Sequence, residues 1–159
     1  MMNGINLSGI SRSLILTEDM PANDPGSTTF VQALQRLRHL SQQDCQGNWH
    51  HCRGDVPLER VLAQGAGWPV AELNGRQHIA WGRGQQVLWL YQQIVVPEHL
   101  QGYVLGGLTL RLALTWWAED AQIFVDGVRV RCGDLFDYFT RFCLAEQGVP
   151  GTAYTLAVR

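Results

Sequence analysis

Along the 159 residues the spacing of apolar positions divides the chain into a leader, a helical part and a long strand-rich part. Residues 1–28 end in PANDPGST and are rich in Ser, Asn, Gly, Pro and Thr. They hold no sustained period and are expected to form a flexible leader outside the domain. From Phe30 the apolar positions Phe30, Leu34 and Leu37 follow a helical stripe that runs on to Ser41, with Leu40 beside it and Arg36, Arg38 and Gln42 outside. Thr29 and Gln32 fit a capping box, so a helix is predicted over about 29–43. A shorter helix is predicted from Pro57, with Leu58, Val61 and Leu62 inward and Gly65 ending it. After Gly67 the pattern becomes that of strands. Residues 85–96, QQVLWLYQQIVV, are dense in β-branched and aromatic side chains and stop at Pro97.

Residues 108–117 alternate strictly. Leu108, Leu110, Leu112, Leu114 and Trp116 share one face, and Thr109, Arg111, Ala113, Thr115 and Trp117 share the other. The first face is expected to be core, together with Trp89 of the preceding strand. Residues 121–125 and 128–131 flank Asp126-Gly127, a strong hairpin signal because a type I′ turn needs positive φ at both central positions. Phe136, Tyr138, Thr140, Phe142 and Leu144 alternate again, and Tyr154, Leu156 and Val158 follow the Pro150-Gly151 turn. One or two helices followed by several antiparallel strands predict a mainly β domain over 29–159, a β-sandwich and not an α/β fold.

Composition narrows the function classes. The length suits one domain that can bury a core without staples. Charged residues make up 16% of the chain, all twelve basic residues are Arg, and the net charge is -2. With no basic run, neither nucleic acid nor an anionic membrane is an expected partner. The first twenty residues hold one Arg and the short apolar run 14–16, too little for an export signal, and no stretch is long enough for a membrane helix. A cytoplasmic location is expected, with Cys45, Cys52, Cys132 and Cys143 reduced.

Candidate chemistry is sparse. Cys45, His50, His51 and Cys52 are metal-capable, but adjacent histidines point apart and no second ligand pair follows, so no metal is expected. Trp49 and Cys52 are expected in the core and the two histidines at the surface. No motif for a nucleophile, a phosphate loop or a dinucleotide is present, and no cofactor is expected. Glu119, Asp120, Asp126, Asp134 and Asp137 cluster in the strand and turn region, where turn chemistry accounts for them more simply than glycoside hydrolysis does. Six tryptophans suit a β core or a platform for a flat ligand. Because Trp116 and Trp117 must face opposite ways, Trp117 needs its own partner: the N-terminal helix, a sugar or another protein.

Residues 108–137, LTLRLALTWWAEDAQIFVDGVRVRCGDLFD, resemble the N-terminal domain of α-mannosidases of glycoside hydrolase family 38, bacterial and vacuolar-type members in particular. The likeness lies in Arg111, Trp116-Trp117-Ala118, the run 121–125, the Asp-Gly hairpin and the run 133–137. Trp49, His78, Trp81, the run 86–90, Val96-Pro97 and the run 100–103 extend it, so that it covers about 30–159. It implies a jelly-roll β-sandwich of galactose-binding-like type, set before a catalytic barrel that holds the family's zinc ligands and nucleophilic Asp. Those have no counterpart here, and the family chain continues past the equivalent of Ala157-Val158-Arg159. A fragment, one piece of a split gene or a stand-alone domain is therefore expected. The resemblance implies a non-catalytic accessory domain that packs on a catalytic mannosidase domain or self-associates, with weak contact to a mannose-type oligosaccharide. A free-standing carbohydrate-binding module, or part of an active α-mannosidase whose barrel is encoded elsewhere, is the alternative. Trp117, Arg111, Asp120, Asp134 and Asp137 are the candidate sugar or interface contacts. Low charge and the absence of lysine fit a surface partly buried against a neighbour.

Overall fold

A computed structural model describes residues 4–6, 25–80, 87–134, 136–137 and 139–159. Among the described residues the protein is mainly β, with two α-helices and antiparallel sheets. The strands are β1 (Gly4–Asn6), β2 (His50–Arg53), β3 (Ile79–Ala80), β4 (Leu88–Val95), β5 (His99–Leu100), β6 (Tyr103–Val104), β7 (Leu110–Trp116), β8 (Ala121–Val125), β9 (Val128–Gly133), β10 (Phe139–Ala145) and β11 (Ala153–Val158). The helices are α1 (Pro25–Ser41) and α2 (Leu58–Gln64). A four-stranded sheet runs β10-β7-β1-β3, a five-stranded sheet runs β2-β4-β11-β8-β9, and β5 and β6 form a separate hairpin.

The inner faces of the two larger sheets share one core. Leu112, Leu114 and Trp116 of β7 meet Leu90 of β4, Ile123 and Val125 of β8, and Leu156 and Val158 of β11, with Trp49 and Ile79 among them. The inward face of β7 is as its alternation predicts: Leu112, Leu114 and Trp116 are buried and Leu110 is half-buried. Leu108, expected on the same face, lies before the strand and is exposed. The five-stranded sheet is also covered on its outer face, where Val61 of α2 packs on Trp89, Tyr91, Phe124 and Ala157. Two-sided burial explains why β4 and the end of β11 read as apolar runs and not as alternation. Trp89 is thus core, on the α2 side.

Local chemistry sets the connections. Asp126 and Gly127 have φ of 49° and 79°, as the I′ turn demands. The Asp126 carboxylate accepts the Thr155 N–H at 2.7 Å, and its own N–H donates to the Thr155 carbonyl at 2.8 Å, so the hairpin tip is tied to β11. Arg159 makes a fork with Asp55 at 2.9 and 2.8 Å and reaches Asp120 at 3.4 Å. That guanidinium holds the Asp55 carboxyl below its ordinary range.

Four expectations change. Gly4–Asn6, assigned to a leader outside the domain, is a strand inserted between β7 and β3, with Ile5 opposite Trp116 and Ile79. The first helix begins at Pro25, whose missing N–H suits a first turn, so Thr29 lies inside it and not at its cap. Phe136 is in a turn and 90% exposed, because the carboxylate of Asp134 accepts the Phe136 N–H at 2.8 Å and bends the chain before β10. Leu135, Tyr138 and Trp81, together with the start of the expected 85–96 strand, lie outside the described residues. Finally, His50 and His51 are half-buried and not surface groups, since β2 pairs with β4 along its whole length. The His50 Nδ1 lies 2.6 Å from the Trp68 carbonyl, and its ring meets Tyr91 edge-on.

Candidate functional site

The five candidate contacts fall at the two ends of β7 and do not form one constellation. At its C-terminal end the Trp117 ring is 43% exposed and stacks on the His78 imidazole, with centroids 6.0 Å apart and planes 24° from parallel. His78 leads into β3, so this partner comes from the sheet's own edge and was not foreseen as Trp117's partner in the sequence. Asp134 is occupied by turn formation. Besides capping Phe136, its carbonyl accepts the Trp116 indole N–H at 3.1 Å and the Asp137 N–H at 3.1 Å. Gly133 lets this turn close: a Cβ there would stand 2.6 Å from the Asp137 Cβ and 3.0 Å from the Trp116 ring. Asp120 accepts from the Gln122 amide at 3.2 Å and faces Arg159. The Asp120 and Asp134 carboxylates are engaged in structure, Asp137 is bonded through its backbone N–H, and one face of the Trp117 platform is taken by His78.

Arg111 lies near the other end of β7, about 20 Å away at the rise of an extended strand. There the sandwich is open. A groove of about 670 Å³ runs between Ile94, Val96 and Tyr154 on one side and Leu110, Leu112 and Leu144 on the other. The segment 97–109 closes it below and the last turns of α1, through Leu37 and Leu40, border it above. Turn hydrogen bonds hold the lower wall: Leu105 N–H donates to the Glu98 carbonyl at 3.0 Å, and Gly148 N–H donates to the Leu108 carbonyl at 2.7 Å. Gly148 is required for this approach, since a Cβ would stand 2.8 Å from Leu110 Cδ1.

Exposed apolar side chains border this opening: Leu37 (61%), Tyr103 (60%) and Leu108 (51%), with Val104 (59%) beside Tyr103 on β6. Sequence reasoning found Arg111 but missed these residues. The sequence places Leu37 on a helical stripe and Leu108 on a core face, and the one signal for Tyr103 and Val104 is their place in the Gly-containing run 100–107, which no period assigns to a core. Arg111 is the sole charged residue among the described groove residues, and the pleat of β7 turns its side chain to the face opposite Leu110 and Leu112. Cys45 lies on the wall as a thiol, its pKa pushed up first by burial and then by the adjacent Asp44 carboxylate. Cys132, on β9, is exposed. Alkylation of the native protein with iodoacetamide, followed by peptide mapping, should therefore label Cys132 first and Cys45 last, because only the thiolate attacks. Equal rates at the two sites would contradict this placement.

No group of three or more metal-capable side chains is gathered among the described residues, and none of their helices is long and apolar enough to cross a membrane. Comparison with protein-family models, curated proteins and solved structures returns no match.

Proposed function

We propose that this chain is a non-catalytic accessory domain, a jelly-roll sandwich of galactose-binding-like type, that packs on a catalytic domain of an α-mannosidase in the cytoplasm. The observation that carries the docking half of this reading is the apolar groove with its rim of exposed Leu37, Tyr103 and Leu108. Monomeric proteins seldom expose apolar side chains in a contiguous patch unless something covers it. The mannosidase half rests on the likeness of 108–137 to the family's N-terminal domain. A carbohydrate-binding module would instead need a free aromatic face with converging polar groups. Trp117 offers a ring already stacked on one side, beside carboxylates engaged in turns and an ion pair.

The test is sedimentation velocity of the full chain with a family 38 catalytic barrel freed of its own N-terminal domain. A one-to-one complex is expected, and Leu108→Asp, at an exposed position, should abolish it. The chain alone should not hydrolyse an aryl α-mannoside. Absence of any complex, together with saturable binding of mannose oligosaccharides that Trp117→Ala removes, would replace this reading with the carbohydrate-binding one.

A further inference from the structure

A second cavity, of about 350 Å³, opens between β2 and β3, the end strands of the two larger sheets. The segment 69–73 bridges those strands, for Val70 pairs with His50 and Leu73 with Ile79. The pleat decides which side chains face the opening. His51 and Arg53 stand opposite Leu90 and Leu88, which belong to the shared core, whereas Cys52 packs on the α2 side. Both therefore point into the sandwich, His51 half-buried and Arg53 exposed at the mouth. Ala71, Ile79 and Leu88 supply an apolar wall.

Neither polar group has a partner. Among the described residues Arg53 makes no ion pair and no side-chain hydrogen bond, and His51 Nδ1 is buried with nothing bonded to it. Glu72, at the border of the cavity, follows the inward Ala71, is exposed and does not pair with Arg53. A buried N–H without an acceptor is costlier than a buried lone pair, so the neutral ring keeps its lone pair on Nδ1 and its proton on Nε2. With Nδ1 sealed, the ring can serve a ligand only by donating from Nε2. Guanidinium and imidazole thus offer donors from one face of one strand, two residues apart, and an anionic acceptor satisfies both. Carboxylate oxygens match the guanidinium fork, and the apolar wall behind it suits a hydrocarbon body. We propose that this cavity binds a small monocarboxylate with an apolar body, its carboxylate held by Arg53 and His51 and its hydrocarbon part against Ile79 and Leu88. The volume lies at the lower end of small-molecule sites, which limits the ligand to a single ring or a short chain. The site is separate from the groove and does not depend on the docking reading.

The probes are benzoate and hexanoate, with benzyl alcohol, benzylamine and inorganic phosphate as controls. Each is titrated at millimolar concentration into the full chain and followed by NMR of its 13C-labelled histidine rings, with His51→Asn assigning the His51 signal. Benzoate or hexanoate should shift that signal saturably, leave His39 and His99 unmoved, and bind about tenfold or more tightly than the alcohol. Arg53→Gln, at an exposed position, should weaken this binding about tenfold or more. Arg53→Lys should lose less, because an ammonium keeps the charge without the fork. Circular dichroism with thermal melting verifies that the variants fold. The proposal is overturned if neither carboxylate gives a saturable shift, or if benzoate binds Arg53→Gln as well as the unaltered chain. Phosphate binding as tightly as benzoate would overturn it too, since the apolar wall would then contribute nothing. So would benzylamine binding in preference to benzoate and lost in Glu72→Gln, which would make the site one for cations.

Discussion

Trp116→Ala should lower the free energy of unfolding by about 3–5 kcal/mol, as truncation of a large core aromatic does, while Trp117→Ala should cost about 0.5–1.5 kcal/mol, the worth of an aromatic pair beyond area. Trp116 is 1% exposed and packs among residues of both sheets, and its indole N–H supports the 133–137 turn through the Asp134 carbonyl. Its removal leaves a cavity at the centre of the sandwich and an acceptor without its donor. Trp117 is 43% exposed and loses its stack with His78 and a partly buried contact area. Urea unfolding of the two variants compares them directly. If Trp117→Ala proved the more destabilising, the side chains of β7 would have to be exchanged between faces, a register error of one residue.

A second large effect is expected where helix propensity points the wrong way. Gly65 follows α2, and alanine next to a helix end would ordinarily gain up to about 1 kcal/mol. Its φ of -55° imposes no need for glycine, so the backbone raises no objection. The Tyr91 ring does: a Cβ at Gly65 would lie 2.4 Å from Cγ, 2.5 Å from Cδ2 and 2.8 Å from Cβ of that side chain. Tyr91 is 7% exposed and held between Val61, Trp89 and the sheet, so it has nowhere to swing. Overpacking should dominate, and Gly65→Ala is expected to destabilise by about 1–3 kcal/mol. Chemical unfolding of Gly65→Ala, Tyr91→Ala and the double variant forms a cycle in which Tyr91→Ala removes most of the alanine penalty. Additive losses would show that Gly65 acts through the backbone.

What was legible in the chain were the parts whose geometry is local. Asp126-Gly127 specifies its turn without reference to anything distant, and the alternation from Leu110 to Trp116 is enough to orient a strand with one strongly buried face. β1 was invisible because Gly4, Ile5 and Asn6 carry no period of their own; their place is decided by the open edges of β7 and β3. Phe136 was misread since alternation alone does not register that the Asp134 carboxylate bends the backbone before β10. At the candidate site, Arg111 and Trp117 could be named from strand pleating, but their separation to opposite ends of one strand, and the apolar mouth around Arg111, depend on segments that meet only in the folded chain. His78 was recognised only as part of the family likeness, and nothing local in the sequence paired it with Trp117.

The position of β11 bears on how the chain acquires its shape. It is the middle strand of the five-stranded sheet, hydrogen-bonded to β4 on one side and β8 on the other, yet it comes after every other described strand in the chain. Until it leaves the ribosome, the β2-β4 pair and the β8-β9 hairpin are two unjoined halves, each with an unsatisfied strand edge and an uncovered apolar face. Synthesis therefore produces the other described strands with their central seam open, followed by closure through long-range pairings that are intrinsically slow. The interval between the emergence of β8 and that of β11 is the period in which this domain is most exposed to mispairing with a neighbouring nascent chain.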